Sequence, residues 1–201
     1  RPSPRPVGNG GTAAVTPQHI QSMRYDPIPV SLFIRNRQRL RELMLPNALA
    51  VVNSNDVLPT NADGTFLLKA NSDLFYLSGI EQEESILVLY PDADDEKQRE
   101  MLFLREPMPA VETWEGHKLS RDEARARSGI ENIYWLSEFP RLFHRVMCEC
   151  EHVYLNTNEH KRAVIEVETR EARFVRACQH RYPLHSYQRL ARLMHRLRSV
   201  K

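Results

Sequence analysis

The densest group of side chains able to ligate a metal is His144, Cys148, Cys150 and His152, four residues within nine positions. Thiolates and imidazoles hold zinc when paired knuckles are well separated in sequence, and H-x3-C-x-C-x-H lacks that separation. The first three fall at a predicted helix end, where Cys148 and Cys150 point to different faces, and His152 opens a strand. They read as ordinary core and surface residues. Asp92, Asp94, Asp95 and Glu96 imitate a calcium loop, but Lys97 and Phe103 stand where its Gly and Glu belong, so the segment reads as a solvated hairpin tip. Cys178 and His180 are two apart on a helix and face apart, which argues against a Cys-His nucleophile pair. The sequence has no Gly-rich phosphate loop, no G-x-S-x-G elbow and no H-E-x-x-H. Trp114 is different. It follows Pro107, Met108 and Pro109 and precedes Gly116, His117 and Lys118, a loop too polar to bury an indole completely. It is a candidate for peptide or subunit contact, and the competing reading is a satellite core residue beneath its loop.

The elements that must position these residues follow from apolar spacing. Leu32, Phe33, Leu40, Leu43 and Met44 fit one face of a helix from Val30 to Met44, with Ser31 as N-cap and Arg35, Arg37, Arg39 and Arg41 on its solvated side. Ala48 to Val52 is a strand. Leu74 to Ser78 and Ser85 to Tyr90 read as strands joined through Gly79, and Met101 to Leu104 as a third, together an antiparallel meander. Ser120 and Glu123 form a capping box for a helix from Arg121 to Arg127, ended by Gly129. Strand Asn132 to Leu136 leads to a helix opened by Ser137 and Glu138, with Pro140 in its first turn and Leu142, Phe143, Val146 and Met147 buried. Strand His152 to Leu155 precedes the longest predicted helix, capped by Asn156 to Asn158 and carrying Ala163, Val167, Phe174, Val175 and Cys178 to about His180. Pro183 stops it. A last helix from about Ser186 has Leu190, Leu193, Met194 and Leu197 at i, i+3, i+4 and i+7. Alternating strands and helices in the second half predict parallel pairing there, so the fold class is α/β: a mixed β-sheet with helices on both faces.

Composition sets the limits. The 201 residues, 41% hydrophobic and 27% charged, describe one globular domain, and a formal charge of +2 implies neither a nucleic-acid nor a membrane partner. Arg189, Arg192, Arg196, Arg198 and Lys201 make the last helix basic, but without interleaved aromatics, which favours a solvent or interdomain face. No stretch approaches the roughly 18 apolar residues of a membrane span. Residues 1–22, Pro- and Gly-rich and without an apolar h-region, are expected to be a disordered or artificially appended leader, with the domain at 23–201. An odd count of cysteines, Cys148, Cys150 and Cys178, points to a reducing compartment, by default the cytoplasm.

The run Asn71-Ser72-Asp73-Leu74-Phe75-Tyr76-Leu77-Ser78-Gly79, followed by Glu112-Thr113-Trp114-Glu115-Gly116, resembles the paired signature of the N-terminal domain of Xaa-Pro aminopeptidases, the creatinase/prolidase-like metallopeptidases. The likeness covers about Tyr25 to Lys201. It implies a non-catalytic domain that shapes substrate access and oligomer contacts. A pita-bread catalytic domain, beginning near Lys201 and absent from this chain, would carry two Asp, one His and two Glu holding two Mn(II) ions, so no cofactor is expected here. Implied partners are that catalytic domain, further copies in a dimer or tetramer, and proline-containing peptides, with no nucleic acid and no membrane. The resemblance also assigns Trp114 to the neighbourhood of an adjoining subunit's active site. Asn71 and Asp73 can cap or close a turn, and Phe75 and Tyr76 serve the fold. Glu115 and His117-Lys118 depart from the family pattern and bear on substrate preference. Two alternatives keep the same fold: a stand-alone peptide- or protein-binding module, as in histone-chaperone relatives, and the N-terminal domain of a prolidase or creatinase.

Overall fold

A computed structural model describes residues 28–108 and 116–199. Its centre is a sheet of six strands in the order β4-β3-β2-β1-β5-β6. These are β1 (Ala48–Asn53), β2 (Ile86–Leu89), β3 (Glu100–Leu104), β4 (Ile133–Trp135), β5 (His152–Leu155) and β6 (Ser186–Arg189). β1, β2 and β3 pair antiparallel, while β3–β4, β1–β5 and β5–β6 are parallel. Helices α1 (Val30–Arg41), α2 (Ser72–Ser78), α3 (Arg121–Ser128) and α6 (Leu190–Ser199) supply one apolar layer, and α4 (Phe139–Glu149) and α5 (Arg170–Arg181) the other.

The alternation of β1 divides the two layers. Ala48, Ala50 and Val52 join the cluster of Leu40, Leu74, Leu77, Leu193 and Leu197, whereas Leu49 and Val51 join that of Phe143, Val146, Met147 and Cys178. Because both faces are covered, every residue of β1 is buried. α4 matches its sequence reading, with Pro in its first turn and Leu142, Phe143, Val146 and Met147 buried. So does α3: the Ser120 hydroxyl and the Glu123 carboxylate complete a capping box, and Gly129 ends the helix at φ 67°.

Four expectations about the elements and their caps are corrected. Leu74 to Ser78 is helix α2, not a strand: the Asn71 side-chain oxygen accepts from the backbone N–H of Asp73 (3.0 Å) and Leu74 (3.1 Å), and Gly79 closes the other end at φ 70°. Two caps outweigh the strand preference of Phe75 and Tyr76, and the meander is made by β1, β2 and β3 instead. The helix expected from Asn156 begins only at Arg170, capped by the Thr169 hydroxyl, while the Asn156 amide donates to Asp73 (2.6 Å). Ser186–Arg189 is an edge strand, so the last helix starts at Leu190. The cap of α1 is Pro29, without a side-chain hydrogen bond, rather than Ser31.

The guanidinium of Arg37, assigned by helical spacing to the solvated side, is 1% exposed. It donates to the carbonyls of Leu77 (2.7 Å) and Ser128 (2.9 Å) and to Glu100 (3.0 Å), which also pairs with Arg41. One buried cation thereby satisfies carbonyls at the C-terminal ends of α2 and α3 and ties both to α1 and β3. Desolvation lowers its pKa to about 10, still protonated at neutral pH.

Candidate site at the carboxyl edge of the sheet

Strand directions bring the segments carrying Asn71, Asp73, His117, Lys118 and Asn156 to one edge. The C-terminal ends of β1, β3, β4, β5 and β6 and the N-terminal end of β2 lie together, since Asn53 faces Ile86, Ile86 faces Phe103, Leu104 faces Trp135 and Leu155 faces Arg189. The segments leaving this edge are 54–71, 79–85, 105–120 and 156–169. In sheets with parallel strands such an edge is where ligand contacts gather.

Trp114 lies outside the described residues, and so do Glu112, Thr113 and Glu115. The stems of its segment are defined. Arg105 on the β3 side approaches Glu83 (3.9 Å) and Glu84 (4.0 Å), and Lys118 on the far side pairs with the same Glu83 (2.5 Å). Leu119 is buried, and its backbone N–H donates to Gln82 (2.8 Å). Glu83 therefore holds both ends of the Trp114 segment at the turn before β2. Beyond the loop, His117 hydrogen-bonds Glu123 (2.9 Å). The Ser120 backbone N–H, His117 and the Ser120 hydroxyl hold the Glu123 carboxyl down to about 2.

The middle of the edge is polar and enclosed. Asn156 Nδ2 donates to Asp73, whose other oxygen pairs with Arg198 (2.5 Å). Arg198 also donates to the Ser72 carbonyl (3.1 Å) and lies 5.0 Å over the Tyr76 ring. Asn71 donates to Asn55 (3.2 Å). Buried oxygens of Asn53, Asn156 and Glu171 have no hydrogen-bond partner among the described residues. Burial, with Asp73 adding charge repulsion, pushes the Glu171 carboxyl up to about 7, against hydrogen bonds from the Asn156 side chain and the Asn53 backbone. Asp73 and Asn71 were legible as cap residues; the tie between Asp73, Asn156 and Arg198 was not, because their sequence separations of 83 and 125 carry no local pattern.

The remaining candidates are scattered. His144 bonds the Tyr182 hydroxyl (2.8 Å), and exposed Cys148 is 3.8 Å from His144. Cys150 and Cys178 are buried thiols pushed up to about 12 by desolvation, the opposite of an activated nucleophile. Among the described residues no three His, Cys, Asp or Glu side chains are grouped to hold a metal ion, so these described residues do not fit a metal pair. No helix among them is long and apolar enough to cross a membrane. On α6, Leu190, Leu193, Met194 and Leu197 are buried as their spacing requires, while Arg198 is committed to Asp73 and Arg189, at the end of β6, to Glu159.

Comparison with known proteins gives a consistent result. Residues 33–154 match the family model described as Aminopeptidase P, N-terminal domain. The Xaa-Pro aminopeptidase of Escherichia coli strain K12 is 28% identical over 137 residues, 68% of this chain and 31% of that protein. Human Xaa-Pro aminopeptidase 3 is 29% identical over 106 residues, 52% of this chain and 21% of that protein. A solved variant of Escherichia coli aminopeptidase P superposes with a TM-score of 0.60 at 28% identity, covering 68% of this chain and 31% of that one. Aminopeptidase PepP of Pseudomonas aeruginosa superposes with a TM-score of 0.66 at 22% identity, covering 84% of this chain and 38% of that structure. This chain thus spans under a third of the length of the curated relatives it matches.

Proposed function

Since this chain belongs to the aminopeptidase P N-terminal domain family, we propose that it serves a Xaa-Pro aminopeptidase as its non-catalytic N-terminal domain, shaping substrate access and oligomer contacts. The hydrolysis proposed for the whole protein removes the residue preceding an N-terminal proline. The two manganese ions, and the carboxylates and histidine that hold them, belong in this reading to a catalytic domain that follows this one, and no step of the chemistry is assigned to residues of this chain. Its partners are then that domain, copies of the same protein in a dimer or tetramer, and proline-containing peptides. Three free cysteines are in keeping with a cytoplasmic setting.

The observation that supports a role in access is the rooting of the Trp114 segment. Glu83 holds its two stems at the same sheet edge as the Asp73 cluster. A rigid base beneath a short segment carrying one large aromatic suits a side chain that projects into a neighbour's substrate channel. Trp114→Ala tests it. The substitution is expected to change the urea midpoint of the 201-residue chain little and to impair peptide hydrolysis by the longer enzyme. A stability loss of about 3–5 kcal/mol in the chain would identify a buried core tryptophan instead. Unchanged hydrolysis and assembly would remove the proposed role.

A further inference from the structure

The carboxyl edge carries an apolar surface beside the Asp73 cluster. Among the described residues twelve large apolar side chains are exposed, and seven lie on two segments, 57–67 and 164–167. Leu67 is 97% exposed and Val164 85%. Leu58 and Phe66 are neighbours in a small hairpin, with the Phe66 N–H donating to the Leu58 carbonyl (2.8 Å) and Pro59 bridging Thr65. Arg173 joins the two segments at their roots: one guanidinium nitrogen donates to Asp56 (2.7 Å), just before Val57, and another to the Glu168 carbonyl (2.8 Å), just after Val167. The two apolar segments therefore leave the edge from one root. Singly scattered exposed apolar residues are ordinary, but seven of them concentrated on two segments tied at one root mark a surface that another body covers.

The course of the chain indicates which body. α6 ends at Ser199, with Arg198 bonded to Ser72 and Asp73. Asn71, the cap of that same helix α2, donates to Asn55, one residue before Asp56. An unbroken series of contacts thus runs from the end of α6 to the root of the patch. The curated relatives extend well beyond the portion this chain matches, which is 31% of the Escherichia coli enzyme. Resting on the function proposed above, we propose that the patch formed by Leu58, Phe66, Leu67, Val164, Ile165 and Val167 is the docking surface for the domain that follows α6 in the same polypeptide.

Amide hydrogen exchange, measured on the 201-residue chain and on the longer protein continuing past Lys201, reads the contact directly. Exchange at 57–67 and 164–168 is expected to slow at least about tenfold in the longer protein, as contact with a folded partner requires. In the chain alone it should stay fast at every concentration. The pair Phe66→Asp and Val167→Asp, both at exposed positions, should leave the thermal midpoint of the chain unchanged, abolish the slowing in the longer protein, and split its unfolding into two transitions. Slowing that appears in the chain alone and grows with concentration would make the occupant a second copy and overturn the proposal. Equal exchange in a longer protein that hydrolyses Xaa-Pro peptides would overturn the docking surface while leaving the function standing. A reading frame that stops at Lys201 would overturn both.

Discussion

Glu171 shows how a carboxyl can be both enclosed and costly. One of its oxygens is buried without a partner, and burial with the repulsion of Asp73 raises its pKa to about 7. The unfolded chain releases that proton near the ordinary glutamate value, so the native state binds the proton more tightly. Its contribution to stability is complete below about pH 4.5 and is lost as the pH rises through about 7. Glu171→Gln removes the titration while keeping the shape. The variant is expected to match the parent at pH 4 and to exceed it by about 1–3 kcal/mol at pH 8, read from urea unfolding across that range. A gap that stays constant with pH would show that the carboxyl is ionised in the native state. Arg37 is the opposite case: its charge is equally enclosed but has two carbonyls and a carboxylate as partners, so it holds elements together.

The short helix α2 depends on its ends. Seven residues cannot hold a helix in water by propensity; Asn71 supplies two hydrogen bonds at one end, and Gly79 supplies the left-handed turn at the other. Gly79 is also tightly placed. A Cβ there would lie 2.6 Å from a ring carbon of Phe33, which packs edge-on against Phe75 at 5.9 Å. Gly116, at φ 75°, has nothing within 4 Å of the same position. Gly79→Ala is therefore expected to cost about 2–4 kcal/mol, combining left-handed strain with overpacking, and Gly116→Ala about 1–2 kcal/mol from strain alone. Equal losses in thermal or urea unfolding would show that the Phe33 ring moves aside without cost.

At the scale of the whole molecule, the chain is a layered α/β domain whose Asp73, Asn156 and Arg198 meet at one edge and whose described residues include no metal-holding group. The purified 201-residue chain is expected to fold, with a cooperative transition, and to show no turnover of an Xaa-Pro dipeptide with or without added manganese. Turnover that persists after contaminating peptidases are removed, and that follows the chain through repurification, would overturn its assignment as a non-catalytic domain.

Local signals sufficed where the energy is local. The capping box of Ser120 and Glu123, the apolar stripe of α4, the apolar strand from Ala48 to Val52, and the paired run from Asn71 with Trp114 that announced the family were all readable from residue order. α2 carried its signal in the caps, but the aromatic run between them pointed to a strand. Ser186 to Arg189 is polar and half-exposed, with no alternation to mark it, and becomes strand only because β5 offers it an edge. The same limit hid the buried Arg37, the enclosed carboxyl of Glu171 and the tie from Asp73 to Asn156 and Arg198. Each arises from groups scores of residues apart, so its hydrogen bonds and desolvation exist only once the sheet and its helices have assembled. Residue order determined most of the elements and the family; the tertiary structure decided the edge strand Ser186–Arg189 and which polar groups leave water, because strand pairing and burial are properties of the assembled layers and not of any one segment.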